Sequence, residues 1–189
     1  MGRYRNRFNR EFHSSRVIVI INNFFTEAQC DFFSKYCDHA TNNDSLEVNL
    51  VVGKKNEKVD RNYYTLRSHY KFMDEVREVA MKNWEQELYF QKNKVYGHIM
   101  HYHSPGQGLK WHAEPNIATV SVSINLSNDD DYEGADFQIK GSNFELPKGA
   151  AIFYDSSLIH RVTPLVTGQK KSLVMWLQNN KQRDKQGNK

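Results

Sequence analysis

The half of the chain that follows residue 94 is dominated by short runs with the length and composition of β-strands. In the clearest run, residues 116–126, polar and apolar side chains alternate, which is the period of a strand whose two faces meet different surroundings. Turn residues separate the further candidates, which cover residues 16–21, 46–52, 95–103, 136–140, 143–146, 150–154, 158–162 and 170–178. Many short strands of this kind favour a β-sandwich or barrel, so the fold class is expected to be mainly β.

Two helices are predicted in the front half. Thr26 is a good N-cap and Gln29 follows three positions later, which is the spacing of a capping box, so a helix is expected over about residues 26–39. Apolar side chains recur within a charged background over residues 72–88, and this pattern predicts a second helix. Residues 26–88 are therefore expected to support the β structure from one outer face.

The chain has 189 residues, which is enough to bury one sizeable core, and a single domain is expected over residues 16–178 with its β core over 94–178. Residues 1–15 read as a flexible basic segment and residues 179–189 as a polar tail. The net charge of +4 comes largely from these two ends. Basic ends can contact nucleic acid, but no base-stacking aromatic array accompanies them, so nucleic acid is not the expected partner.

The chain has neither an apolar run of about 20 residues nor a signal-peptide pattern, so a cytoplasmic location without membrane insertion is expected. Its two cysteines, Cys30 and Cys37, lie seven positions apart in a helical pattern. That spacing puts them on one helical face about two turns apart, which is too far for a disulfide. We therefore expect two reduced thiols.

A candidate metal site comes from His112 and Glu114. On an extended segment, side chains two positions apart point to the same face, so an imidazole and a carboxylate would meet there. His160, inside the candidate strand 158–162, offers a second imidazole. Two histidines and one carboxylate with an open face are the ligand set of non-heme Fe(II) oxygenases. A zinc hydrolase can use the same donors.

Lys170, ten positions after His160, favours the oxygenase. An oxygenase that binds a dicarboxylic acid needs a cation beside its metal, whereas a zinc hydrolase does not. Strand alternation puts Lys170 on the face of Ser172 and puts Lys171 on the face of Leu173. Lys170 is therefore the candidate cation.

These residues resemble the Fe(II)- and 2-oxoglutarate-dependent oxygenases, particularly the prolyl-4-hydroxylase-like branch, over about residues 95–177. Their order and spacing together are specific. The front half fits more weakly, through an apolar strand followed by Phe24-Phe25-Thr26 and a helix. The matching pieces are Tyr102 with Gly106 and Gln107, the His112-Ala113-Glu114 motif, residues 132–137, 146–153 and 158–165, and then Gly168 and Lys170.

The resemblance implies a double-stranded β-helix (jelly-roll) core with flanking helices. It also implies Fe(II), 2-oxoglutarate as co-substrate and O₂, with ascorbate as a further candidate. His112, Glu114 and His160 would hold the metal. Lys170 would pair with the distal carboxylate of 2-oxoglutarate, and Tyr102 and Ser172 would assist it. The implied reaction decarboxylates 2-oxoglutarate oxidatively to succinate and CO₂ and hydroxylates an unactivated C–H bond.

The chain departs from the family pattern at two positions. Glu114 stands where most members have Asp, and its carboxylate, one methylene longer, must fold back to reach the metal. Tyr102 precedes Gly106 by four residues rather than the commoner three, which leaves His101 and His103 as alternative residues at that place.

The prolyl-hydroxylase-like pattern makes a peptidyl side chain, prolyl first, the expected substrate. Residues 170–176 lack the further Arg that nucleic-acid demethylases of the family carry. Arg161 and Trp111 are candidates for the substrate rim, although Arg161 should point away from His160 and would then face solvent. A free amino acid or small metabolite as substrate, a non-catalytic jelly-roll binding protein with a vestigial metal site and a zinc hydrolase are the alternatives. The oligomeric state is left open.

Overall fold

A computed structural model describes residues 9–13, 16–42, 48–50, 62–66, 68–90 and 95–182. Within these ranges the helices are α1 (Glu27–Asn42) and α2 (Phe72–Trp84), and a short 3-10 turn covers Asp129–Asp131. In chain order, the strands of the described residues are β1 (Asn9–His13), β2 (Arg16–Ile21), β3 (Val48–Leu50), β4 (Asn62–Leu66), β5 (Tyr89–Phe90), β6 (Gly97–Tyr102), β7 (Leu109–His112), β8 (Val120–Asn125), β9 (Tyr132–Gly134), β10 (Phe137–Ile139), β11 (Ser142–Phe144), β12 (Ala151–Asp155), β13 (His160–Val162), β14 (Leu165–Gly168) and β15 (Lys170–Gln178).

The strands form one large sheet, one small sheet and a two-stranded ribbon. The large sheet has the order β1-β2-β12-β8-β15-β6-β4-β3, and β5 also pairs with β15. The small sheet has the order β11-β10-β13-β7, and the ribbon pairs β14 with β9. Neighbours in these sheets run antiparallel, and many of them are distant in sequence, such as β8 beside β15. The mainly β jelly-roll core expected from the sequence is confirmed.

Helices α1 and α2 cover one face of the large sheet. Alternate side chains of the central strands point to this face and form the main core with the apolar sides of the helices. Its fully or almost fully buried members include Phe25, Phe33, Met73, Val76, Val122, Ile124, Phe153, Leu173, Met175 and Leu177. The intervening side chains of the same strands point to the opposite face, toward the small sheet, where Ile18, Ile152 and Tyr154 of the large sheet pack against Phe137 and Ile139.

The predicted helix starts are confirmed, and the predicted ends are not. The side chain of Gln29 accepts a hydrogen bond from the Thr26 backbone N–H at 2.9 Å, and the Gln29 N–H donates to the Thr26 hydroxyl at 3.3 Å, which completes the capping box. Helix α1 runs on to Asn42 instead of stopping near residue 39. Helix α2 ends at Trp84 because Glu85 takes a left-handed backbone conformation with φ of 52°.

Several strands differ from the sequence-based expectation. Residues 9–13 were expected to be loose, but β1 pairs with β2 along its whole length. The predicted strand 116–126 shortens to β8, because the N–H groups of Ile117 and Ala118 bond the Glu114 carbonyl and make a turn instead. The predicted strand 46–52 is described only over β3. Strands β4, β5, β9 and β14 were not predicted, and β7 was expected only as an extended segment around His112.

Cys30 is a free thiol in the main core, where burial raises its pKa to about 11 and keeps it protonated. The side chain of Cys37 lies outside the described residues. Among the helices in the described ranges, none has the length and apolar character that crossing a membrane requires.

The Leu173→Ala substitution tests whether the helix-facing side of β15 carries the core. Leu173 is fully buried between Ile99 and Ile124 on the adjacent strands. Its truncation should lower the free energy of unfolding by about 2–5 kcal/mol, measured by denaturant titration. Val166→Ala, at a side chain that is 51% exposed, is the control and should change it little. Equal effects of the two substitutions would contradict this assignment of the core.

Candidate metal centre and its cavity

A cavity of about 210 Å³ lies between the large and small sheets. Residues from both sheets line it, together with Glu114 from the loop after β7. The polar side chains that reach it include His112 and His160 from the small sheet, and Ser123, Asn125, Tyr102 and Lys170 from the large one. Polar groups that converge in an otherwise apolar cavity are the usual character of a ligand site.

The two predicted histidines sit side by side on paired strands. His112 ends β7 and His160 begins β13, and the two are partners in the strand register with ring centres 4.1 Å apart. The Nδ1–H of His112 donates to the Lys110 carbonyl at 2.8 Å, and the Nδ1–H of His160 donates to the Leu158 carbonyl at 2.9 Å. This bond leaves the Nε2 lone pair of each ring as the available donor atom.

Glu114 approaches the same point from a loop rather than from a strand. Strand β7 stops at His112, so the same-face argument of an extended segment does not explain the geometry. The Glu114 backbone N–H instead donates to the Ser156 carbonyl at 2.7 Å, which ties the loop to the turn after β12. Its Oε1 then lies 3.8 Å from the His112 Nε2.

The three side chains form a group that could hold a metal ion. One donor atom from each of His112, Glu114 and His160 lies within 4.8 Å of the others, and no second such group occurs in the ranges that the structure describes. Burial lowers the pKa of His160 to about 4, and the neighbouring His112 adds to this effect, so the imidazole is neutral at pH 7 and can act as a ligand. Histidines held by a carbonyl at the other ring nitrogen are typical of metal sites. The donor set fits Fe(II) and also fits zinc.

The alternation along β15 separates its two lysines as predicted. Lys170 lines the cavity with Ser172, and its ammonium group donates to the Ala135 carbonyl at 2.8 Å. Its Nζ also lies 4.6 Å from the centre of the Tyr132 ring. Lys171 points to the helical face instead and donates to the Ser34 carbonyl at 3.0 Å.

Tyr102 is placed opposite Lys170. The two residues are register partners on β6 and β15, and Tyr102 is almost fully buried in the wall of the cavity. The alternatives, His101 and His103, do not line it. His101 bonds the Gln169 side chain at 3.1 Å, and His103 bonds the Ser104 hydroxyl at 3.1 Å.

Arg161 and Trp111 come together on the outward side of the small sheet. Arg161 follows His160 on β13 and therefore points outward, where its guanidinium lies 4.5 Å from the centre of the Trp111 ring. Its Nε–H donates to Gln138 at 2.6 Å. Neither side chain lines the cavity, and both line a separate groove that shares Leu109 and Val162 with it, so their role at a substrate rim stays a prediction.

Sequence reasoning missed the cavity residues around Glu114. The indole N–H of Trp176 and the hydroxyl of Ser121 both bond the Glu114 carboxylate. Tyr154 packs edge-on against His160, with ring centres 4.8 Å apart. The alternation of side chains along the strands could have identified two of these residues. Trp176 lies on the same face of β15 as Lys170, and the polar residues of β8, which include Ser121, lie on the cavity side of that strand.

Comparison with known proteins gives partial sequence matches and extensive structural ones. The chain is 29% identical over 96 residues to a PKHD-type hydroxylase of Synechococcus sp. (strain CC9605), which covers 46% of this chain and 43% of that protein. A viral collagen prolyl hydroxylase from Paramecium bursaria Chlorella virus-1, solved as a 2OG complex, superposes with a TM-score of 0.62 at 13% identity, over 86% of this chain and 95% of that one. A Trichoplax adhaerens prolyl hydroxylase, solved with a hypoxia inducible factor peptide fragment, superposes with a TM-score of 0.67 at 12% identity, over 88% of this chain and 86% of that one.

The chain shares the fold of these solved prolyl hydroxylases, and a little under half of it is similar in sequence to a PKHD-type hydroxylase. No family profile matches the chain. The match to the cyanobacterial hydroxylase spans less than half of that relative's length. The solved structures, at these identities, show that the oxygenase fold is shared.

The buried ammonium group of Lys170 should make stability depend on pH. Desolvation lowers its pKa from 10.5 to about 8, against the opposing influence of Asp136 and Asp129. Between these values the unfolded chain holds a proton that the folded chain has released, so the free energy of unfolding rises with pH.

Lys170→Met should remove this rise in the free energy of unfolding, which is on the order of 3 kcal/mol between the folded and unfolded pKa values of the lysine. Denaturant titrations from pH 7.5 to 10.5 on both proteins measure the difference, and Lys171→Met controls for loss of a lysine from the other face. Parallel curves for the wild type and Lys170→Met would contradict the pKa assignment.

Proposed function

We propose that the chain is an Fe(II)- and 2-oxoglutarate-dependent dioxygenase that hydroxylates an unactivated C–H bond. The observation that carries this proposal is the convergence of a His-Glu-His group and a buried lysine on one cavity. A zinc hydrolase could use the His-Glu-His group but would not need the buried lysine. The name of the cyanobacterial relative, a hydroxylase, supports the same reaction class.

His112, Glu114 and His160 would hold the iron. Both imidazoles present Nε2 because their Nδ1–H groups are engaged by carbonyls, so neither ring must change tautomer on binding. When bound, Fe(II) would supply the activation of O₂ that couples oxidative decarboxylation of 2-oxoglutarate to hydroxylation. Three protein ligands leave one side of the metal open to exogenous molecules.

Lys170 would bind the distal carboxylate of 2-oxoglutarate. Its side chain is buried, so a carboxylate paired with it would be shielded from water, and such charge-assisted bonds are strong. Tyr102 on the paired strand and Ser172 on the same face of β15 would add hydroxyl hydrogen bonds. The diacid would then lie with one end at Lys170 and its keto-acid end at the metal.

A peptidyl side chain, prolyl first, is the proposed substrate class. This choice rests on the two solved neighbours, one a collagen prolyl hydroxylase and the other a prolyl hydroxylase bound to a peptide. A free amino acid or small metabolite would give the same co-substrate turnover, so substrate assays should include both prolyl peptides and free proline.

Release of succinate tests the reaction class. The wild type with Fe(II), 2-oxoglutarate, O₂ and a prolyl peptide should release succinate, and His160→Ala should abolish the release because a metal ligand is lost. Parallel assays without ascorbate show whether that reductant is required. Turnover that persists in His160→Ala, or that follows zinc rather than iron content, would refute the proposal.

The paired lysines test the co-substrate site. Lys170→Met should raise the apparent KM for 2-oxoglutarate by about 100-fold or more, because the distal carboxylate would be buried without a partner. Lys171→Met is a matched control from the adjacent position with equal burial, 8% exposed against 7%. It should leave the KM close to the wild-type value. Similar KM changes in both variants would remove Lys170 from this role.

A further inference from the structure

The two oxygens of the Glu114 carboxylate have different surroundings. Oε2 accepts a hydrogen bond from the indole N–H of Trp176 at 2.7 Å and a longer one from the Ser121 hydroxyl at 3.3 Å. Oε1 faces the imidazole of His112, whose Nε2 is 3.8 Å away. One oxygen is thus occupied by the protein, and the other is directed to the metal position.

Both donors are rigidly placed. Trp176 on β15 and Ser121 on β8 are direct register partners in the middle of the large sheet. Ser121 is fully buried, and its hydroxyl lies 2.8 Å from that of Ser156, which is also fully buried. The backbone carbonyl of Ser156 accepts the Glu114 N–H at 2.7 Å, so the same turn contacts both the main chain of Glu114 and one of its side-chain donors, Ser121.

This arrangement addresses a problem that glutamate creates as a ligand. Glutamate has one more rotatable bond than aspartate, so fixing its side chain costs more rotamer freedom. A carboxylate with two free oxygens could also swing away from the metal or bind it through both oxygens. Hydrogen bonds that hold Oε2 remove both alternatives, because they leave a single oxygen in a single direction.

We propose that Trp176, assisted by Ser121, is a positioning residue that makes Glu114 a one-oxygen metal ligand by holding its other oxygen. This inference rests on the proposed function, since it requires His112, Glu114 and His160 to bind the metal. It also implies that the glutamate at 114 and the tryptophan at 176 work as a pair. An aspartate at 114 would hold its carboxylate one methylene closer to the backbone and would not share an oxygen with Trp176 in the same way.

A double-mutant cycle on metal binding tests the pairing. The proteins are the wild type, W176F, E114D and the combination of both, and the measurement is the Kd for Co(II), used as an air-stable probe of the Fe(II) site. W176F should weaken Co(II) binding about tenfold or more when residue 114 is the native Glu. It should change binding less than about twofold in the E114D background, because the hydrogen bond is already lost there.

The visible spectrum of the bound Co(II) supplies a second measurement, because a change from one-oxygen to two-oxygen coordination alters its bands. W176F should shift the bands only in the Glu114 background. Trp111→Phe, which changes an exposed tryptophan on the outer face, should affect neither Kd nor spectrum. If W176F does not fold, judged by its thermal unfolding midpoint without metal, Ser121→Ala takes its place in the cycle, with a smaller but still Glu114-dependent loss of affinity.

Three outcomes separate the inference from the proposed function. Equal losses of affinity in both backgrounds would overturn the inference, since Trp176 would then act only as part of the cavity wall. Co(II) binding by the wild type that His160→Ala leaves unchanged would instead refute the metal site itself. Binding that requires His160 but is indifferent to both Trp176 and Ser121 would leave the site standing and refute the inference alone.

Discussion

The antiparallel pairing of β15 with β8 and β6 is the constraint on which both the core and the site depend. Because successive side chains of a strand point to opposite faces, one strand supplies Leu173 and Leu177 to the core and Lys170 and Trp176 to the cavity. A shift of the pairing by one residue would exchange these two sets. The apolar residues that bury against the helices therefore also determine which polar residues reach the cavity.

The histidines depend on the same kind of constraint in the small sheet. Pairing of β7 with β13 sets His112 beside His160, while a hydrogen bond to the carbonyl two residues earlier sets the tautomer of each ring. The third member is different, because Glu114 sits in a loop and is fixed by contacts to three other segments of the chain. The geometry of the group thus combines two ligands set by strand pairing with one set by side-chain hydrogen bonds.

The strands that carry the site and the face on which each side chain lies could largely be predicted from the sequence. Alternation alone distinguished Lys170 from Lys171, because that argument needs only the strand and not its partners. The short strands β9 and β14 could not be found in this way, because they hold together mainly by pairing with each other across about 30 residues. Trp176 was missed because, although alternation puts it on the same face as Lys170, its bond to Glu114 depends on how the loop after β7 returns to the sheet.

The hydrogen bond from Lys170 to the Ala135 carbonyl has a consequence for how a diacid would enter. The Ala135 carbonyl and the Tyr132 ring hold the ammonium group in place, and the carbonyl uses only one of its three N–H donors, so an incoming carboxylate would accept from the others. Ala135 lies in a turn with φ of 52°, an uncommon conformation for a residue with a side chain. A substitution of Lys170 would therefore remove an anchor of this segment between β9 and β10 together with the cation of the cavity.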